Sequence, residues 1–200
     1  MGNFFVIADT HFSHFNIIRY CDRPFATADE MDEALIKNWN DTVSAEDRIL
    51  VLGDFGLTGR DRMTEIIARL NGHKEIILGN HDRGKRFYQE AGFESVESRK
   101  TRLIFPPMSN HCGLTDVYAQ YPDLYVVFTH VPLTVTEIDE LREEHGEGGV
   151  WPRFLNVHGH IHNNESLGGP RVCVSVEVTN YKPVTLRSVV EKWLGIKEVA

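Results

Sequence analysis

Short, nearly continuous apolar runs alternate with stretches of helical period through the first half of the chain. Residues 3–8, 48–52 and 75–78 are each too brief for a buried helix, and they predict strands covered on both faces. Between the first two runs, Leu35, Ile36 and Trp39 recur at helical spacing behind Thr27 and Glu30, which have the form of a capping box. Met63, Ile66, Ile67 and Leu70 repeat the pattern until Asn71-Gly72 stops it, and residues 83–91 predict a further helix closed by Gly92. This alternation predicts βαβ units and a largely parallel sheet.

The second half changes character. Residues 102–105, 124–128, 154–158 and 171–178 read as strands joined by hairpin-like or loop connections. Residues 136–145 predict an exposed acidic helix leading into the flexible run Gly146-Glu147-Gly148-Gly149. Pro183 opens an amphipathic helix over 184–194. Helices early and strands late predict an α/β fold, a four-layer αββα sandwich of two mixed β-sheets flanked by helices. No repeat, low-complexity tract or composition break interrupts the chain, so a single domain over 1–200 is expected.

Composition narrows the setting. Two hundred residues, 42% of them hydrophobic, suffice for one substantial core. No apolar run approaches the ~18 residues that span a bilayer, and the first residues lack the basic flank of a signal peptide. Val6 stands where a myristoylation signal requires Ser or Thr. Cys21, Cys112 and Cys173 are odd in number and widely spaced, which predicts thiols in a reducing compartment. A cytoplasmic protein without membrane attachment is expected. The net charge of −8 disfavours an extended nucleic-acid duplex as partner. Bound divalent cations would still make the site itself attract anions, leaving a small phosphorylated substrate as the expected partner.

The candidate chemistry lies in five fragments: Asp9-Thr10-His11, Gly53-Asp54, Gly79-Asn80-His81-Asp82, His130 and Gly159-His160-Ile161-His162. Asp9, Asp54 and Asn80 each fall just beyond a predicted strand, at the carboxyl edge where α/β sheets gather their ligands. Mixed Asp, Asn and His donors suit Mn, Fe, Co, Ni or Zn better than all-oxygen Ca or Mg sites. Cysteine is absent from the fragments, against a thiolate zinc site. Two metals roughly 3.5–4 Å apart activate water and clamp a phosphoryl group, and Asp54, central in order, is the natural bridging carboxylate. His81, directly after a ligand, suits proton transfer. Arg23 and Arg83 are candidate substrate grips, because a guanidinium forks onto two oxygens. His158 reads as a strand-end histidine packed beneath the site. His14, His73, His111 and His145 read as surface or turn residues. The acidic segment 139–144 reads as a solvated helix face, with the border of a substrate entrance as the alternative.

The ordered set resembles the calcineurin-like metallophosphoesterase superfamily, whose motifs read DxH, GD, GNH(D/E), H and GHxH, and all five occur in order from Asp9 to His162. The resemblance implies a first and a second metal ion, and manganese is the expected metal at both. It implies that Asp9, His11, Asp54 and His162 hold the first, and Asp54, Asn80, His130 and His160 the second. It also implies that His81 protonates the leaving group while Asp82 orients its ring. Segments 16–25 and 180–184 further resemble a small bacterial and phage branch of the superfamily. The chain departs from the protein phosphatases, which read GDxVDRG where it has Gly53-Asp54-Phe55-Gly56-Leu57-Thr58-Gly59. It also lacks the GNRD form of the lipid-precursor pyrophosphatases, since His81 stands in place of the arginine. The expected activity is a metal-dependent phosphodiesterase on small or nucleotide-like substrates, cyclic nucleotides included. The alternatives are a phosphomonoesterase or phosphoprotein phosphatase, and a non-catalytic metal-binding scaffold of the same fold.

Overall fold

A computed structural model describes residues 2–106, 114–146, 152–164 and 167–196. His111, Cys112 and most of the 146–149 run lie outside the described residues. The first half runs β1 (Phe4–Ile7), α1 (Phe15–Tyr20), α2 (Ala28–Asn40), β2 (Arg48–Val51), α3 (Arg60–Arg69), β3 (His73–Ile77), α4 (Lys85–Glu90) and β4 (Ser95–Glu97). The second runs β5 (Leu103–Phe105), α5 (Thr115–Gln120), β6 (Leu124–Thr129), α6 (Val135–His145), β7 (Arg153–His158), β8 (Arg171–Cys173), a 3-10 turn at Val176–Val178, β9 (Val184–Thr185) and α7 (Leu186–Leu194).

Two sheets form. The first has the order β4-β3-β2-β1-β9, parallel from β4 to β1 with β9 antiparallel at the edge. The second has the order β5-β6-β7-β8, with β5 antiparallel and the other three parallel. The four-layer sandwich of two mixed sheets is therefore present; of the expected hairpin-like or loop connections, β7 to β8 is a loop, while α5 and α6 lie in the other two. A parallel neighbour requires a crossover, and α6 supplies the one from β6 to β7.

Strand alternation assigns every core residue to a layer. Phe5, Ile7, Ile49, Val51 and Ile76 face α2, α3 and α4, where they pack with Met31, Leu35, Trp39, Met63 and Ile66. Their neighbours Phe4, Val6, Leu50, Leu52 and Ile77 face the second sheet and meet Val126, Phe128, Leu155 and Val157. The α7 residues Leu186, Val189 and Val190 join this inter-sheet core. On the far side, Val127 and Phe154 pack with Ile138 and Leu141 of α6. Asp139, Glu140, Glu143 and Glu144 consequently point outward, as a solvated face does.

Local signals are realised with adjustments. Thr27 accepts from the Glu30 N–H at 3.1 Å, but the Glu30 carboxylate reaches the Ala26 N–H instead of closing the box on Thr27. A complete capping box opens α6, where Thr134 and Glu137 bond reciprocally. The expected strand over 171–178 ends at Cys173, because the chain then crosses to the first sheet. Ala8 donates to the Val174 carbonyl and accepts from the Val176 N–H, both at 3.1 Å, before the 3-10 turn begins. Residues 184–185 pair with β1 before the last helix starts. Among the described residues no helix is long and apolar enough to cross a membrane.

Candidate metal centre

The loops after β1, β2, β3, β6 and β7 converge where that bridge stitches the two sheets together. They bring all seven expected ligands into two adjoining groups. Donor atoms of Asp9, His11 and His162 lie within 4.8 Å of one another, and so do those of Asp54, His130 and His160. Asn80 joins the second group, its Oδ1 lying 3.0 Å from His130 Nε2. Oδ2 of Asp54 sits 3.7 Å from His11 Nε2 and 3.6 Å from His130 Nε2, facing both groups at once.

Each carboxylate has one oxygen pinned and one presented. Oδ2 of Asp9 accepts from Ser175 Oγ at 2.6 Å and from the His160 N–H at 2.8 Å. Oδ1 of Asp54 accepts from the His81 N–H at 2.9 Å. Oδ1 of Asp9 and Nε2 of His11 are buried without a hydrogen-bond partner. An unsatisfied buried polar atom costs about 1–3 kcal/mol, and a divalent cation between these atoms would satisfy both. The donor set therefore fits the implied ions.

Tautomers are set from behind. His130 Nδ1 donates to the Leu52 carbonyl at 2.8 Å, so Nε2 is the free ligand atom. Asn156 holds the loop beyond His130 by accepting from the Leu133 N–H and donating to Val127 O and Thr129 Oγ1. Burial, then the Arg23 and His162 charges, push His11 down to about 2, which keeps its imidazole neutral for ligation. Burial lifts Asp9 to about 6 against the pull of His162 and His130. At His162 burial lowers the pKa, but bonds to Cys21 and Glu177 and the Asp9 charge outweigh it and raise it to about 10.

The backbone is strained where the ligands sit. Asp9, His11, Asp54, His160 and His162 all have positive φ, between 49° and 71°. Asp and His tolerate this region better than most residues, yet each costs about 1–2 kcal/mol. The motif glycines answer to close approach. A methyl on Gly53 would lie 2.5 Å from His130 Nδ1, one on Gly159 would lie 2.5 Å from Asp9 Oδ2, and one on Gly79 would collide with the Asp54 carboxylate.

Two expected roles change, those of Arg23 and Asp82. Arg23 does not face substrate. It is buried, and its guanidinium donates to the Asp9 and Thr10 carbonyls and to Glu177. Arg83 is exposed, but it donates to the Thr58 carbonyl and lies over the Phe87 ring. Asp82 does not orient the His81 ring. Its two oxygens accept from the backbone of Asp54, Phe55 and Gly79 and from Tyr88 Oη, at 2.7–2.9 Å. Asp82 thus staples the loop after β2 to the loop after β3. His81 itself is exposed, its ring 5.7 Å from that of His11.

Other residues emerge only from the structure. Ser175 pins Asp9, Glu177 accepts from His162 Nδ1 at 2.9 Å, and His14 lies 3.2 Å from His11, nitrogen to nitrogen. Asp32 holds Ser13 through its N–H and hydroxyl, both at 2.6 Å, and so fixes the turn after His11. His158 donates to the Gly159 carbonyl from a buried position outside both ligand groups, as expected of a packed strand-end histidine.

Fold and site define a protein that presents a carboxylate, asparagine and histidine cluster for divalent metal between two sheets. The calcineurin-like phosphoesterase profile matches residues 2–186, and the chain belongs to that family of binuclear divalent-metal phosphohydrolases. An uncharacterized protein of Methanocaldococcus jannaschii, MJ1445, is 32% identical over 200 residues, covering 96% of this chain and 91% of that protein. The Gene 66 protein of Mycobacterium phage L5 is 28% identical over 82% of this chain and 79% of its own length. The crystal structure of AQ665 from Aquifex aeolicus, a protein of unknown function, superposes with a TM-score of 0.67 at 21% identity. It covers 96% of this chain and all of its own, and it shares the fold.

Proposed function

We propose that the chain is a phosphodiesterase acting on small or nucleotide-like diesters, cyclic nucleotides among them, with manganese as the preferred metal and Fe, Co, Ni or Zn as substitutes. The first ion would be held by Asp9, His11, Asp54 and His162, the second by Asp54, Asn80, His130 and His160. When bound, the pair supplies a nucleophile from water and neutralises phosphoryl charge.

The diester reading rests on one observation: both arginines expected to grip substrate are engaged elsewhere, Arg23 inside the protein and Arg83 on Thr58 and Phe87. A diester carries one negative charge, within reach of a metal pair alone. A monoester dianion is better served by additional arginine forks. His81 has the exposure and the position to hold a proton on its ring and pass it to the departing oxygen. Its backbone N–H meanwhile steadies Asp54. The partner is a small phosphorylated molecule, and the acidic surface does not suit an extended duplex.

Paired chromogenic substrates test this, bis(p-nitrophenyl) phosphate against p-nitrophenyl phosphate, each with Mn, Ni, Co, Zn and Mg. Faster turnover of the diester, greatest with manganese, is expected. Faster monoester turnover overturns the diester reading, and no turnover with any metal favours the scaffold.

A further inference from the structure

Arg23, Glu177 and His162 form a line of contacts that ends on the first ligand group. The Arg23 side chain is wholly enclosed, and that of Glu177 is 3% exposed. Nε and Nη2 of Arg23 donate to Glu177 Oε1 at 3.0 and 2.6 Å. Nη1 donates to the Thr10 carbonyl and Nη2 to the Asp9 carbonyl, both at 2.8 Å. The same Glu177 oxygen lies 2.9 Å from His162 Nδ1, while His162 Nε2 lies 4.0 Å from Asp9 Oδ1.

We infer that Glu177 and Arg23 are positioning residues for the first metal ion: Glu177 fixes the tautomer and aim of His162, and Arg23 locks Glu177 to the loop that carries Asp9 and His11. This rests on the metal-centre reading above. A carboxylate can only accept, so it keeps a proton on Nδ1, and Nε2, which would yield its proton to a metal, is the ligand atom. It also makes that imidazole a better donor to metal. The arrangement answers a mechanical need, because Asp9, His11 and His162 all hold left-handed backbone that relaxes unless neighbours constrain it. One planar guanidinium reaches two carbonyls of the first motif and a carboxylate 154 positions later. A lysine ammonium cannot serve the same directions at once. Cys21, His162 and Glu177 also sit close enough to suggest a separate cation site. The guanidinium already neutralises Glu177 there, so the cluster reads as support for His162.

The test is zinc binding to the full chain, with histidine ring nitrogens observed by NMR. The rings of His11 and His162 report the first ion, and those of His130 and His160 the second. In the unmodified protein, two equivalents bind and His162 carries its proton on Nδ1. Glu177→Gln is expected to weaken binding reported by His11 and His162 by about 10- to 100-fold, to disturb the His162 tautomer, and to leave the His130 and His160 isotherm in place. Arg23→Lys is expected to act in the same direction, and it carries the same readouts if Glu177→Gln does not fold. Fewer than two zinc ions on the unmodified protein overturns the metal-centre reading, and the inference with it. Two ions on the unmodified protein, with unchanged affinity and tautomer in the folded variants, overturns the inference alone.

Discussion

The two halves of the centre are built differently. Around Asp9, His11 and His162 the ligands are buried or half-buried, and Asp9 and His162 are held by the side chains of Ser175 and Glu177. Around His130, Asn80 and His160 the cluster opens outward, with Asn80 and His160 exposed and His130 fixed by a backbone carbonyl. Asp54 and His130 are as buried as Asp9 and His11, so the difference lies at the exposed edge that Asn80 and His160 form. His81 is exposed, and its ring lies 5.7 Å from that of His11, a residue of the enclosed half.

The largest expected effect comes from Asp54→Ala, because this carboxylate faces both halves. Both ions and all turnover should be lost, as read by elemental analysis of the purified protein. Retention of either ion at full occupancy would separate the halves and remove the bridging assignment. His81→Ala should keep both ions but lower turnover about 10²–10⁴-fold, the usual range for a general acid. Undiminished turnover would remove the proton-donor role from His81. The smallest effect is a control outside both halves. Asp47 accepts from Asn3 and Ser44, and although burial raises its pKa, the Ser44 and Asn3 donors outweigh that and hold it below the usual carboxylate range. Its contribution is present above the unfolded pKa and lost as pH falls through the lower folded value. Asp47→Asn should therefore cost about 1 kcal/mol near neutral pH and progressively less in acid, by urea unfolding, with metal content unchanged. A loss of metal in this variant would show that general stability, not local construction, sets occupancy.

What is legible in the sequence follows the same division. Strands such as 48–52 and helices such as the one bearing Met63, Ile66 and Ile67 are legible because burial imposes a period. The seven ligands are legible because they sit in short ordered motifs, three of which open on glycine (Gly53, Gly79 and Gly159). Glu177 and Ser175 are not, since they act on residues 15 and 166 positions away and sit in no periodic pattern. Arg23 stands out in the sequence but suggests the wrong role. An arginine near a phosphate motif looks like a grip, and only tertiary contacts reveal that it points inward. A signal does exist. The branch-like segments 16–25 and 180–184 contain Arg23 and follow Glu177 closely, and they touch through Phe25 and Tyr181, with ring centroids 5.1 Å apart. Their shared presence marks a contact, not two separate features. The strand expected over 171–178 stops short for a related reason, because its last residues serve the other sheet.

The Ser175 hydroxyl on Asp9 spans 166 positions, and the His160 N–H on the same carboxylate spans 151. A chain emerging from the ribosome therefore displays Asp9 and His11 long before their partners exist. Contacts so distant in sequence close late. Until they close, the early ligands stand in a loop without its anchors. Metal capture is consequently tied to completion of the fold, and a half-made chain has little means of holding an ion in the wrong geometry.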